Sequence, residues 1–404
     1  MSKNRILFSG AGCFLLLCLG WLVWSFLVSV SSNNISAITA CAQEFTGQSE
    51  RINCWYRLIE KEIIKDGVPA GMHAFTYIYD NYPDFVSTGC HVHAHKVGDM
   101  VYYGVYLADP RLEALEYPDS LTACGYGFFH GFLEHLIQDH PTTKFVTETC
   151  EWMSERLEER MPAIRTICYH GSGHGFTLAQ VEKVPQAQWG DLIAFTKDPL
   201  EKCDALSVPR EIEREECREG VFNVLINWAE GGEYGFSFNR DNPLVICDAF
   251  EKKWRHACYY EFSQKLDHIA RRDVMELWRV ANKIKDRDEA SVVFRVAMAG
   301  AVQQTIADGT YIGLTKKCLL AGPQVENMCI ESIVNGLFEH GSPRKEHDKA
   351  LAFCMEEWLN DAQRTQCYTA VATRLLRFHT REDADDDCRD FPKEYQSMCL
   401  RARP

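Results

Sequence analysis

The sequence predicts an all-α chain: a disulfide-stapled array of helical hairpins, a tetratricopeptide-like α-solenoid, following one N-terminal transmembrane helix. Three observations carry this reading. They are one long uncharged apolar run near the N-terminus, cysteines that recur in close pairs, and amphipathic text of helical period between the members of those pairs.

The apolar run sets the address. Lys3 and Arg5 precede an uncharged stretch from Ile6 to Val30, whose 25 residues at a rise of 1.5 Å each can cross a hydrocarbon core of about 30 Å. It is longer than the apolar region of a typical cleaved signal. Basic residues before it and a Ser-Ser-Asn-Asn segment after it orient the N-terminus inward and the remaining chain outward. The expected organisation is a cytoplasmic segment 1–5, a signal anchor 6–30 and an extracytoplasmic helical domain 37–404, in a periplasm or at a cell surface. Ile38-Thr39-Ala40-Cys41 has only a superficial likeness to a lipoprotein processing site, because a polar gap separates it from the apolar run.

The cysteines agree with that compartment. The chain has 18 of them and no Cys-x-x-Cys pair of the kind that marks zinc ribbons or redox sites, so disulfides in an oxidising environment are the expectation. Cys13 and Cys18 lie in the apolar run, which leaves an even 16 outside it. Fourteen of these form close pairs, Cys41/Cys54, Cys150/Cys168, Cys203/Cys217, Cys247/Cys258, Cys318/Cys329, Cys354/Cys367 and Cys388/Cys399, with spacings of 11 to 18. Cys90 and Cys124 have no such neighbour.

Taking the second cysteine of each pair as a marker, with Cys90 and Cys124, gives steps mostly of 32 to 49 residues; Met298 fills the gap in the one step of 71. Helix-pair repeats recur at about this period. The strongest internal match sets Cys124-Gly-Tyr-Gly-Phe-Phe-His-Gly-Phe-Leu-Glu-His135 against Cys329-Ile-Glu-Ser-Ile-Val-Asn-Gly-Leu-Phe-Glu-His340. Six positions after the marker stand His130, His174, Asn223, Gln264, Gln304 and Asn335, a recurring polar side chain. Each hairpin buries its apolar face on its neighbours, and each disulfide adds roughly 2 to 4 kcal/mol by constraining the unfolded chain. On this scheme Cys90 bonds Cys124. The aromatic runs Tyr77-Ile-Tyr79 and Val101 to Tyr106 are read as buried helix, and Asn239 to Asn242 and Glu382 to Cys388 as loops between units.

Lys+Arg number 43 against 57 Asp+Glu, a formal charge of −14, which excludes sequence-independent nucleic-acid binding. Gly-rich phosphate loops, dinucleotide fingerprints and Gly-x-Ser-x-Gly elbows are also lacking.

The chemistry concentrates in histidines between residues 85 and 180. His91/His95, His130/Glu134 and His170/His174 are each four apart, so each pair presents two ligand-type groups to one side of a helix. Three such pairs on neighbouring helices suit a mono- or dinuclear transition-metal site, of zinc, copper or iron. Its chemistry would be hydrolysis, oxidation or storage. Glycines 125, 127, 131, 171, 173 and 175 crowd the same helices although each costs about 1 kcal/mol there, which predicts close backbone approach. His93 points away on an ideal helix, His140 precedes Pro141 in a loop, and His256, His268, His347 and His379 stand alone. Tyr102, Tyr126, Tyr169 and Asp99 are candidate supports for the ligands. The rival reading is a scaffold whose histidines only pack and whose solenoid surface binds a peptide or an envelope protein; a metal-free hydrolase based on His170 or His174 lacks a nucleophile motif.

Overall fold

The computed structural model describes residues 35–239, 243–266, 273–303 and 305–402. Among them the chain is all-helical, with no strand. Nine of the described helices form a row: α1 (Gln48–Asp66), α2 (Cys90–Val101), α3 (Ala123–Asp139), α4 (Ile164–Val181), α5 (Glu211–Gly231), α6 (Lys252–Ser263), α7 (Arg287–Gln303), α8 (Pro323–Glu339) and α9 (Asp361–Phe378). Each packs on the next.

Shorter partner helices lie between members of the row, and the disulfides tie one to the other. Cys150 of Thr143–Leu157 bonds Cys168 of α4, Cys203 of Leu192–Asp204 bonds Cys217 of α5, and Cys247 of Val245–Asp248 bonds Cys258 of α6. Cys318 of Tyr311–Leu319 bonds Cys329 of α8, and Cys354 of Glu346–Cys354 bonds Cys367 of α9. Cys41–Cys54 and Cys388–Cys399 close the two ends, and Cys90–Cys124 links α2 directly to α3. All eight bridges follow the predicted pairing. Met298 is buried in α7, where the marker cysteine is missing.

Local signals account for the helix starts. Thr142 and Asp191 accept hydrogen bonds from backbone N–H groups of the first turns that follow them, and Asn360 with Gln363 makes a reciprocal capping box ahead of α9. Apolar stripes then do the packing, as with Phe128, Phe129 and Phe132 of α3, all buried. Burying each such ring contributes roughly 1.5–3 kcal/mol.

The row curves back on itself. α8 contacts α3, the Tyr79 hydroxyl donates to the His340 carbonyl at 2.7 Å, and the Tyr126 hydroxyl donates to the Arg377 carbonyl at 2.9 Å. Polar groups from units far apart in sequence therefore share one interior.

Tyr77 and Tyr79 lie in the helix Val68–Asn81, and α2 widens into a single π-turn over Tyr102–Tyr106, so both aromatic runs are helical as expected, although Tyr103 is exposed rather than buried. The acidic run before Cys388 is not a loop. Arg381–Asp387 is a short helix whose first turn carries Glu382 and Asp383, capped by the Thr380 hydroxyl; carboxylates there favour the positive end of the helix dipole. Nor do His347 and His379 stand alone, since their rings lie 5.5 Å apart and share Asp387. Among the described residues no helix is long and apolar enough to cross a membrane. The predicted span 6–30 lies outside them, as do 240–242 of the predicted loop, His268 and Gln304.

Candidate metal centre

Glycine decides how closely the histidine-bearing helices approach. A Cβ on Gly131 of α3 would lie 2.0 Å from the His95 carbonyl oxygen of α2, and one on Gly127 would lie 2.6 Å from that of His91. At the α4–α5 crossing a Cβ on Gly173 would meet the Cys217 carbonyl oxygen at 2.0 Å and one on Gly220 the His170 carbonyl oxygen at 1.9 Å. Any larger residue would force the backbones apart. The predicted close approach is therefore real, and it draws the imidazoles of α2, α3 and α4 into one buried group.

The chain enters α3 through three residues in the left-handed region, Cys124 (φ 57°), Gly125 (φ 62°) and Tyr126 (φ 60°). For the two non-glycine residues this costs about 1–2 kcal/mol each. Opposing it are the Cys90–Cys124 bridge and the buried Tyr126 side chain, whose hydroxyl donates to the Arg377 carbonyl and accepts from the Ala163 N–H at 3.2 Å. The turn aims the Cys124 carbonyl at His91.

That carbonyl fixes a chain of tautomers. It only accepts, so His91 Nδ1, at 2.9 Å, carries the hydrogen. Burial, reinforced by neighbouring imidazoles, lowers the pKa of His91 to about 3, so its ring is neutral and its Nε2 is a lone pair. His130 Nδ1 lies 2.9 Å from that lone pair and must donate to it. Burial and the surrounding histidines hold His130 well below the usual range as well. Its Nε2 is then left as a lone pair without a partner.

The two histidines of α4 repeat the pattern. His174 Nδ1 faces Glu134 Oε2 at 3.4 Å and His170 Nδ1 faces Glu216 Oε2 at 3.7 Å, while Nε2 of each is buried and unpartnered. Burial lowers the pKa of His174 to about 4 despite the carboxylate beside it. His130, His170 and His174 are 5%, 6% and 2% exposed, and one ring nitrogen from each lies within 4.8 Å of the others. The His130 ring is stacked on His170 with centroids 4.6 Å apart.

Glu134 organises the near side. Its Oε2 takes His95 Nε2 at 3.2 Å as well as His174. Burial works against its charge, but the bonds from His174 and His95 hold its pKa well below the ordinary range. Burial likewise works against a charged His95, and Glu134 outweighs it, so the His95 pKa is raised. His95, Glu134 and His174 form a second close ligand group. They line a cavity of about 250 Å³ with Leu178 and Trp228, which reaches the surface at Asn227 and Glu233.

No family model matches the chain. No curated protein and no solved structure compared with it matches either.

All six predicted residues therefore meet, in different positions. His91 has both ring nitrogens engaged and stands behind His130. Of the candidate supports, only Asp99 joins the site, between His135 at 3.3 Å and His95 at 3.8 Å. Tyr102 bonds Asp139, Tyr126 serves the left-handed turn, and the Tyr169 hydroxyl has no partner. His93 is buried against Phe85 with Nε2 2.7 Å from the Phe85 carbonyl oxygen, away from the cluster as expected, and His140 caps the end of α3. The sequence reading missed Glu216, and with it Glu219 and Glu261 farther along the interior. Burial raises Glu261 to about 7, and burial plus the neighbouring carboxylates Glu216 and Glu261 raises Glu219 well above the usual range.

Proposed function

We propose that this chain is an extracytoplasmic transition-metal protein, held to the membrane by residues 6–30, in which His130, His170 and His174 hold one ion. The observation that carries the reading is the set of three buried, unpartnered Nε2 atoms on mutually close rings. A buried acceptor without a partner costs about 1–3 kcal/mol, and one electrophile relieves all three. Nδ1 of each ring meets a carboxylate or another imidazole, the arrangement that orients imidazole toward a metal and raises its basicity.

Three nitrogens with no thiolate select zinc first, with copper and iron as the competing ions. Every described cysteine is bridged, so none competes as a ligand. A tetrahedral ion with Zn–N of about 2.0–2.1 Å holds its donors roughly 3.3 Å apart, inside the 4.8 Å within which one nitrogen of each of the three rings lies. His174 also lines the cavity with Glu134, so water would reach an ion held there from that side. Metal-assisted hydrolysis is the chemistry such an ion would supply beside the cavity, and Glu134 would hold His174 and His95 in place through its Oε2.

The test is elemental analysis of the purified, oxidised chain after metal loading. With zinc as the metal, one tightly held zinc per chain, lost in His130→Ala/His174→Ala, is the expected result; folded protein that binds none overturns it. That second outcome favours the scaffold reading, which rests on the shared register of His130, His174, Asn223 and Asn335.

A further inference from the structure

The interior beyond His170 gathers three carboxyl groups at close quarters. Glu216 and Glu219 of α5 lie three residues apart on one face, and Glu261 of α6 comes to meet them. Ligand atoms of His170, Glu219 and Glu261 all lie within 4.8 Å of one another, and all three residues are buried. Asn223 and Gln264 both donate to Glu261 Oε2, at 2.5 Å and 2.9 Å. The other oxygen, Oε1, is buried with no partner, on a residue only 1% exposed. Two cations have fields that reach these carboxylates. Lys265 is already bonded to Glu230 at 2.6 Å, and Arg377 is shared among Glu216, Tyr260 and Glu339.

Like charges this close inside a protein repel strongly unless a counter-charge sits between them. An acidic cluster alone would be answered by protons. Here Glu261, whose Oε1 is buried and orphaned, belongs to a close group with Glu219 of another helix, beside His170.

We propose that Glu219 and Glu261 hold a second divalent cation beside the tris-imidazole ion, on the far side of His170, so that the centre is dinuclear. The inference rests on the metal reading above. The two positions meet at His170 and differ in character. The first is nitrogen-rich, and the second is carboxylate-rich and suited to a harder ion such as manganese. The asymmetry gives each its own probe.

The experiment uses the full oxidised chain, stripped by chelator, loaded with one equivalent of zinc and then titrated with Mn(II), with free Mn(II) read by electron paramagnetic resonance. Wild type should bind one zinc and then one manganese. The isosteric variant Glu219→Gln/Glu261→Gln should keep its zinc with affinity within a factor of three and weaken manganese at least thirtyfold. Wild type that takes up zinc but no second ion, or a variant that binds manganese as wild type does, overturns the dinuclear assignment and leaves the zinc reading standing. Manganese bound by wild type and lost in the variant, with no zinc retained, supports the carboxylate position and overturns the tris-imidazole one. The wild-type stoichiometry decides the matter even if the variant fails to fold.

Discussion

Alanine at Gly220 should destabilise the protein, although alanine is the better helix former by about 1 kcal/mol. The added Cβ would lie 1.9 Å from the His170 carbonyl oxygen and 3.1 Å from the Gly173 Cα, both backbone atoms of α4. Relief needs α4 and α5 to separate by roughly 1.5 Å, and overpacking of this kind costs about 1–3 kcal/mol. Subtracting the propensity gain leaves a net loss of up to roughly 2 kcal/mol. The control is the same substitution at Gly313, in the exposed part of Tyr311–Leu319, where a Cβ would meet nothing within 4 Å. There only the propensity term acts, and stability should rise by about 1 kcal/mol. Urea denaturation of both variants, metal-stripped and oxidised, reads the two signs directly. If Gly220→Ala is as stable as Gly313→Ala, the helices are not in backbone contact and the convergence of the histidines loses its cause.

Other perturbations probe the electrostatics and the bridges. His91 and His174 are buried neutral with pKa values of about 3 and 4, so the unfolded chain binds more protons between pH 4 and 6.5. Stability of the metal-stripped protein should therefore fall as pH drops through that window, by about 1.4 kcal/mol per pH unit for each; a flat profile contradicts their burial. His379 is the opposite case. Burial opposes its charge, but Asp387 at 2.5 Å and Glu346 at 3.0 Å outweigh this and raise its pKa to about 9. Its contribution is complete below pH 6.5 and is lost as pH rises through 9; it amounts to roughly 3 kcal/mol, and His379→Gln should abolish that alkaline slope in a pH series of denaturation curves. Cys90→Ser/Cys124→Ser should lose roughly 3–4 kcal/mol for a loop of this size. It should also weaken zinc binding by freeing the Cys124 carbonyl from His91, and unchanged metal affinity would show that the tautomer chain is unimportant.

What was legible in the sequence was whatever is local or paired. Cysteine spacing gave every bridge, including Cys90–Cys124, because one helical hairpin per pair leaves those two as the remaining partners. The four-residue spacing of His91/His95, His130/Glu134 and His170/His174 placed six ligand-type groups on three helix faces, and the glycines beside them announced how close those faces come. Glu216, Glu219 and Glu261 were not legible. Nothing in their spacing on α5 and α6 sets them apart, and only the return of the row, which brings Arg377 and α8 back to α3, shows that this face is interior. That curvature is the sum of small rotations between units and has no local signature. His347 and His379 looked solitary for the same reason, being 32 residues apart and brought together only by the fold, ring to ring and through Asp387. The acidic run at 382–388 was read from charge alone, and the Thr380 cap outweighed that signal.

The most direct test is X-ray absorption at the zinc edge of the loaded, oxidised protein. The proposed centre predicts a first shell of nitrogen and oxygen only, at about 2.0–2.1 Å, with the multiple scattering of three imidazoles, and no bound zinc in His130→Ala/His174→Ala. A sulfur shell near 2.3 Å, or scattering from fewer than three imidazoles in the wild-type protein, would contradict a tris-imidazole centre on α3 and α4.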